Sequence, residues 1–368
     1  MAATRRPSCA TTSLPAALGK LSIVSETNAT PRCPACSSAS RSDVLAVREN
    51  MFGIREDFDY SLCADCGSLA LISVPEDMAS YYPTNYYSVD LDPERALGAP
   101  GVRQFAQVVI GSVLWGRGVA SGTATAVIPR RQLRTLVSVL RSIRRAGLTK
   151  GKQTRVLDVG CGSGMLVFAL GLAGVKDVTG VDPFMSDERD LSTGGRLRRQ
   201  DLSEVEDRYD LIMFHHSFEH VPDPEASLRE ALERLTVGGR VLIRMPTPSS
   251  HAFETYGAAW VQLDAPRHLV VPSRRGVDSL CERVGARVVS VDDDSTGFQF
   301  WGSEQYLRGI PLMDGQSVMV EPRDAPFSKA QLRGWEKQAV ALNRAGRGDQ
   351  AAWVIAPATN DRVAPDRT

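Results

Sequence analysis

Residues 156–166 constrain the fold of this chain more than any other segment. Residues 156–159 are mostly apolar, which predicts a strand buried on both faces, because a half-exposed strand would alternate with polar residues. Three glycines then occupy alternate positions, and the apolar run 165–173 predicts a buried helix that ends before Gly174. A strand, a glycine turn and a helix open a nucleotide-binding unit, so the sequence predicts an α/β fold.

The spacing of Gly160, Gly162 and Gly164 indicates which class of nucleotide ligand the loop binds. Dinucleotide-binding loops read G-x-G-x-x-G, and here Met165 occupies the position of the third glycine. A P-loop is excluded because no Gly-Lys-Ser/Thr follows. The arrangement resembles motif I of the class I S-adenosylmethionine (SAM) methyltransferases. That resemblance implies a loop around the methionine portion of SAM, with contacts from Asp158, Cys161 and the three glycines.

Two later acids follow predicted strands of the same sheet. Asp182-Pro183 closes the strand 178–181, 18 residues beyond Gly164, where a carboxylate can accept hydrogen bonds from ribose hydroxyls. NAD enzymes share this feature, so it predicts an adenosine ligand. Asp201-Leu202 follows the strand 196–200. In methyltransferases an acid there meets the adenine amino group, and the alternative is that Asp201 caps a helix.

The polar stretch after the fourth strand, 209–214, carries the candidate catalytic groups. Its sequence "EHVPDP", with the later "GG-x-V-L-I", resembles the family's motif after strand four, which implies that His215 lies near the cofactor. Similar zinc-containing sugar C-methyltransferases use a Glu-His pair here. We therefore expect His220 to be the general base, with Glu219 orienting it or binding a substrate hydroxyl. The alternative is that His220 only caps or packs the loop.

A second polar segment, "D-x-P-R-H-L", follows strand five and has a counterpart in the family. His268 is the competing candidate for the base. Arg267 is a candidate to hold a substrate phosphate through its planar guanidinium, or else to pair with Asp264.

Four of the seven cysteines form two C-x-x-C pairs, Cys33/Cys36 and Cys63/Cys66. In a chain without signs of secretion this pattern favours metal over disulfides, and four thiolates predict a closed, structural zinc site in a ribbon hairpin. Disulfides or free thiols are the alternatives. The net charge from the first to the last of these cysteines is −3, which is the wrong sign for phosphate contacts.

Four tyrosines occupy residues 81–87 just after the ribbon. They either pack the ribbon against the next domain or line a substrate pocket, in which case Tyr82 and Tyr86 contact the substrate. This segment resembles its counterpart in bacterial methyltransferases that act on sugars, surface polysaccharides and secondary metabolites.

The expected fold is a seven-stranded, Rossmann-like methyltransferase sheet with a small N-terminal zinc-binding module. We predict a disordered tail at 1–30, the zinc ribbon at 31–87, a helical connector or lid at 88–149, the catalytic domain at 150–358 and a disordered tail at 359–368. The resemblance implies that strand seven lies antiparallel beside strand six. Residues 295–327 are expected to be an insertion of undefined structure.

The net charge and the hydropathy of the chain limit which kinds of partner are expected. The formal net charge is zero, so no overall attraction to nucleic acid or to an anionic membrane is expected, and no apolar run reaches the length of a membrane span. The expected protein is a cytoplasmic enzyme that methylates a small molecule such as a sugar nucleotide, glycan or secondary metabolite. The alternatives are a zinc-containing RNA methyltransferase, a dehydrogenase and a non-catalytic SAM-binding regulator. The sequence indicates neither the acceptor atom nor the oligomeric state.

Overall fold

A computed structural model of the chain describes residues 32–40, 43–83, 92–115, 130–148 and 153–358. Within this part the strands are β1 Asp43–Arg48, β2 Asp57–Leu62, β3 Leu69–Leu71, β4 Arg155–Val159, β5 Asp177–Val181, β6 Arg189–Asp190, β7 Arg196–Arg198, β8 Tyr209–His215, β9 Leu235–Pro246, β10 Val270–Val271, β11 Ala286–Asp293 and β12 Gln350–Pro357. The predicted tails, 1–30 and 359–368, lie outside the described residues, as does Tyr86.

The α-helices of the described residues cover the sheets and the connections between them. They are α1 Pro93–Leu97, α2 Pro100–Leu114, α3 Arg130–Arg145, α4 Met165–Leu172, α5 Pro224–Glu233, α6 His251–Tyr256, α7 Arg274–Arg283, α8 Phe298–Leu307 and α9 Lys329–Arg344. None of these helices combines the length and hydropathy that a membrane crossing requires.

The main sheet has the strand order β11-β12-β9-β8-β4-β5-β7-β6. Strands β4, β5, β7, β8 and β9 run parallel, and β12 is inserted antiparallel between β9 and β11. The methyltransferase-type sheet and its antiparallel seventh strand are therefore confirmed. The sheet exceeds the expected seven strands because the two-residue β6 adds an antiparallel edge beside β7.

Alternate residues of β4 show why its sequence is apolar throughout. Val156 belongs to a core on one face of the sheet with residues of α2, α3 and α4, whereas Leu157 belongs to a core on the other face with residues of α5 and α7. Both side chains are fully buried. Helices thus cover both faces of the sheet, and the strand ends with their loops are left for binding.

Helix starts follow the sequence signals. Asp223 caps α5 with Pro224 at the first helical position, and Ser273 caps α7. Ser328 caps α9 in a capping box with Gln331. Each cap satisfies a backbone N–H that the helix itself leaves unpaired, so these boundaries could be read from the sequence.

The predicted zinc ribbon is joined to the predicted catalytic domain by a shared sheet. Strands β1, β2 and β3 are antiparallel, and β10, from more than 190 residues later in the chain, pairs with β3. The hydroxyl of Tyr60 on β2 donates to the carbonyl of His268 at 2.7 Å. The sequence did not predict this pairing. It means that the ribbon supports the loop just before β10.

The region predicted as an insertion, for which no structure was assigned, contains a helix. Helix α8 buries Trp301 in a small core with Met51 and Val261. The sequence pattern did not reveal this helix because α8 lacks the one-sided apolar stripe by which surface helices are recognised. It is buried on several sides instead.

Candidate active site

The glycine loop connects β4 to α4 through three left-handed residues. Gly160, Gly162 and Gly164 have φ values of 71°, 52° and 81°. A Cβ at Gly160 would lie 2.5 Å from the Cβ of Ser217, and a Cβ at Gly164 would lie 2.6 Å from a methyl of Leu197. Glycine is needed here for backbone conformation and for close contact with the loop after β8 and with a side chain of β7.

Asp182 lies against this loop at the end of β5. Its Oδ2 accepts the N–H of Gly162 at 3.0 Å, and its Oδ1 accepts the N–H of Phe184 at 2.9 Å. Burial raises its pKa, and the two N–H groups partly offset that effect. Each carboxylate oxygen keeps acceptor capacity for a hydroxyl. Pro183 is exposed, and the ring of Phe184 is 75% exposed beside the carboxylate.

Asp158 is a buried carboxylate without a complete set of partners. It is 3% exposed, and its Oδ1 has no hydrogen-bond partner in the described residues. Burial, together with the charge of Asp182, raises its pKa to about 7. A buried acceptor of this kind is costly unless a ligand supplies a donor, such as the ammonium of an amino acid. The residues present thus fit a cofactor with a cationic amino-acid end and a ribose.

The other residues predicted to contact the cofactor differ in their burial and in their contacts. Asp201 is exposed and caps the short 3₁₀ helix Leu202–Glu204 in a capping box, which is the alternative role foreseen for it. Leu202 is buried in the core. Cys161 is half-buried, and burial raises the pKa of its thiol. His215 is half-buried 5.2 Å from the ring of His216; burial, then nearby positive charge, lowers its pKa well below 6.5. Cofactor contacts for these residues stay predictions.

The predicted catalytic residues meet at one point. Glu219 and His220 lie on the 3₁₀ helix Phe218–His220 after β8, and the His220 and His268 rings are 4.8 Å apart. The His268 Nε2 is 3.9 Å from the Glu219 Oε1. One ligand atom from each of the three lies within 4.8 Å of the others, so the set has the chemistry to share a proton or hold a cation.

The two imidazoles are oriented alike. The Nδ1 of His220 is 2.8 Å from the carbonyl of Arg267, and the Nδ1 of His268 is 2.9 Å from the carbonyl of Gln262. A carbonyl only accepts, so each neutral ring carries its proton on Nδ1 and a lone pair on Nε2. Burial, followed by the charge of His220, lowers the pKa of His268 to about 4. His220 is half-buried and also lies 3.4 Å from the Tyr82 hydroxyl.

The structure places Arg267 away from the role predicted for it. Its side chain is fully buried, and its guanidinium donates to Asp264, to Glu49 at 2.8 Å and to the carbonyl of Tyr81 at 3.0 Å. The proposed grip on a substrate phosphate is wrong for this arrangement, because the charge is already neutralised by two carboxylates. The alternative, pairing with Asp264, is what the structure contains.

Three residues of this region were missed by sequence reasoning. Ser217 donates to the carbonyl of Val159 at 2.6 Å and packs against Gly160. His216 bridges Glu219 and Arg244. The position of His216, three residues before Glu219, was a usable signal. Arg244, in contrast, is an arginine in an apolar strand whose partners lie far away in sequence.

The four cysteines of the ribbon lie together. The Cys33 and Cys66 sulfurs are 3.7 Å apart, and those of Cys36 and Cys63 are 3.6 Å apart. A tetrahedral zinc ion with sulfurs at about 2.3 Å separates them by about 3.8 Å. The cluster therefore matches a structural zinc site. It leaves no open coordination position for chemistry.

Comparison with known families identifies the segment that contains most of the main sheet. Residues 130–291 match the family model described as "Methyltransferase domain". These residues are a class I SAM-dependent methyltransferase domain. SAM is the cofactor of this domain, in agreement with the glycine loop and with Asp158 and Asp182.

Relatives of the methyltransferase domain include the ubiquinone biosynthesis O-methyltransferases of Pseudomonas savastanoi and Bordetella avium. The first is 32% identical over 126 residues, which is 31% of this chain and 54% of the relative; the second is 32% identical over 147 residues, 35% and 60% respectively. The chain thus spans little more than half the length of these relatives.

Solved structures that are similar to this chain have a lower sequence identity to it than these relatives. A cyclopropane synthase of Mycobacterium tuberculosis is 16% identical with a TM-score of 0.38, covering 60% of this chain and 83% of its own. A putative sarcosine dimethylglycine methyltransferase of Galdieria sulphuraria is 16% identical with a TM-score of 0.38, covering 61% and 87%.

Proposed function

We propose that this protein transfers the methyl group of SAM to a small-molecule acceptor, and that His220 removes the acceptor's proton. The observation that carries the proposal is the convergence, at one edge of the sheet, of the glycine loop with Asp182 and of the loop that bears His220. Parallel α/β sheets bind ligands at this edge. The acceptor class that fits is a hydroxylated molecule such as a sugar nucleotide, glycan or secondary metabolite.

Each residue has a defined task. Gly160, Gly162 and Asp158 receive the amino-acid end of SAM, and Asp182 accepts from its ribose. SAM supplies an electrophilic methyl group on a sulfonium, so the protein mainly aligns the acceptor and accepts its proton. The Arg267 carbonyl holds the Nδ1 proton of His220, which presents Nε2 as the base. The pKa of His268 is about 4, far below neutrality, which disfavours His268 as the base.

Tyr82 supports the position of the acceptor. Its hydroxyl lies beside the His220 ring, and Tyr81 of the same segment contributes its carbonyl to Arg267. The Tyr82 hydroxyl contacts the Nδ1 side of the His220 ring, away from the basic Nε2, so the proposal assigns the acceptor contact to the ring of Tyr82, with Tyr86 as a further candidate. The net charge of the ribbon disfavours RNA as the acceptor, and salt-dependent RNA binding would favour the RNA alternative instead.

Two measurements test the proposal. Calorimetric titration with S-adenosylhomocysteine (SAH) is expected to show binding, whereas preference for NAD, or no heat at millimolar SAH, overturns the assignment. Release of SAH from SAM is then followed with dTDP-glucose and catechol as probe acceptors.

The matched variant is His220→Asn. Asparagine keeps a donor for the Arg267 carbonyl but has no basic nitrogen, so we expect kcat to fall by about 10²–10⁴ with SAH affinity preserved. His251→Ala changes a histidine on α6 and serves as the control. Wild-type turnover by His220→Asn would remove His220 as the base.

A further inference from the structure

A chain of buried polar side chains leads from the antiparallel end of the sheet to the catalytic loop. Gln350 on β12 donates to Asp294 at 2.6 Å, and Arg244 on β9 donates to the other oxygen of Asp294 at 2.6 Å. Arg244 and Asp294 have side chains only 4% and 2% exposed. The Nη1 of Arg244 lies 2.6 Å from the Nε2 of His216.

The contact with Arg244 fixes the tautomer of His216. A guanidinium has only donors, so the Nε2 of His216 must carry a lone pair and its proton must be on Nδ1. That Nδ1 is 3.1 Å from the Oε1 of Glu219. His216 is therefore a donor to Glu219 as long as Arg244 occupies its other nitrogen. A protonated His216 would lose the Arg244 contact and place two cations side by side.

One carboxylate oxygen of Glu219 has a hydrogen-bond partner, and the other has none among the described residues. The residue is fully buried, and its Oε2 has no hydrogen-bond partner in the described residues. Burial acts to raise the pKa of Glu219, and the hydrogen bond that His216 donates acts in the opposite direction and keeps the pKa below its ordinary value. A buried acceptor held in this way is complete only when a ligand brings a donor to it.

We propose that Asp294, Arg244 and His216 form a positioning chain that holds Glu219 as a carboxylate with Oε2 open to a hydroxyl donor of the methyl acceptor. The inference rests on the proposed function, because it names what holds the acceptor at that site. His216 is a positioning residue, since it acts through Glu219. The acceptor then carries at least two hydroxyls, one for His220 and one for Glu219.

The backbone of His216 offers a matched pair of variants. Its φ of 55° lies in the left-handed region, which glycine and asparagine adopt readily. His216→Gly removes the imidazole without adding backbone strain. His216→Asn places an amide N–H near the position of Nδ1, so the donor to Glu219 is kept while the Arg244 contact is lost.

Turnover of the full chain with the probe acceptors dTDP-glucose and catechol separates these variants. We expect His216→Gly to lose about 100-fold in kcat, the scale of groups that orient a reacting group, and His216→Asn to stay within about 10-fold of wild type. SAH affinity should change by less than about 3-fold in both. Equal activity of the two variants, or wild-type activity of His216→Gly, overturns the chain, as does loss of SAH affinity, which would indicate a merely structural role.

A second measurement needs no acceptor. The chain has five histidines, so ¹⁵N-labelled imidazoles can be resolved by NMR. We expect His216 to carry its proton on Nδ1 rather than on Nε2, and to lose this preference in Arg244→Met. A wild-type His216 that is protonated on Nε2 contradicts the inference. Absence of SAH binding by the wild type contradicts the proposed function instead, so the two failures are distinguishable.

Discussion

At the scale of single residues, Asp158 shows a conflict between stability and binding. Its carboxyl has a pKa of about 7 in the folded chain, against an ordinary value of 3.8. The folded state therefore holds a proton that the unfolded state has lost once the pH passes 3.8, so stability falls as pH rises toward 7. Above pH 7 the ionised, buried group costs up to about 4 kcal/mol.

We expect Asp158→Asn to be more stable than wild type at pH 8, because the amide cannot ionise. The gain in melting temperature should be several degrees at pH 8 and smaller at pH 5, where the folded wild type is already neutral at this position. SAH affinity should fall about 10-fold, since a charged acceptor for the cofactor is lost. Calorimetry at both pH values gives all three quantities.

Asp187→Asn is the control, because this acid is exposed on the loop after β5. It should change the melting temperature by less than a degree at either pH. An Asp158→Asn protein that melts below wild type at pH 8 would mean that the carboxylate has a favourable partner in the folded chain, and the argument from its open oxygen would fail.

At the scale of elements, the sequence predicted what depends on local pattern. The strands of the main sheet could be found because a strand buried on both faces is continuously apolar, and the starts of α5, α7 and α9 because their caps are local signals. Contacts between distant segments could not be found in this way. The pairing of β3 with β10 and the burial of Arg267 by Glu49 depend on where the ribbon docks, which one sequence does not encode as a pattern.

The same limit applies to the candidate site. The histidines and carboxylates were identified because they follow strands that end at one edge of the sheet. Which of them are free to act was not predictable. Arg267 is neutralised by Asp264 and by Glu49, which is 218 residues away in sequence, and His216 is bound by Arg244 on another strand.

The ribbon provides the prediction at this scale. Cys63→Ser removes one thiolate of the zinc cluster and should loosen β3, which pairs with β10 directly after His268. We expect bound zinc to be lost and kcat to fall by about 10-fold, whereas SAH affinity stays within about 3-fold because the glycine loop packs elsewhere. Metal analysis, turnover and calorimetry on the same preparation give the result.

Cys281→Ser is the matched control. Cys281 is buried on α7 and belongs to the same core as the zinc cysteines, but its thiol is not one of the four. It should keep zinc and turnover while losing a little stability. Full turnover by a zinc-free Cys63→Ser protein would show that the ribbon does not support the catalytic loop.

At the scale of the whole molecule, a buried ion pair links the ribbon to a distant part of the chain. Glu49 in the ribbon and Arg267 in the catalytic segment are both fully buried and 2.8 Å apart. Glu49 also accepts the backbone N–H groups of Phe52 and Ile54 at 3.0 Å, so its carboxylate closes the turn after β1 at the same time. Replacing Glu49 leaves Arg267 paired with Asp264, but it takes a charged acceptor away from the Arg267 guanidinium and from two backbone N–H groups in a buried place.

We therefore expect Glu49→Gln to lower the free energy of unfolding by about 3 kcal/mol through these weakened hydrogen bonds, and the ribbon and the methyltransferase domain to unfold in one transition. Urea unfolding followed by tryptophan fluorescence and by zinc release measures both, since the two signals should have the same midpoint. Glu76→Gln, an exposed acid after β3, is the control and should stay within about 0.5 kcal/mol. Zinc release at a lower urea concentration than the fluorescence change would mean that the ribbon unfolds alone, and the buried pair would then be a local contact rather than the link between the two parts.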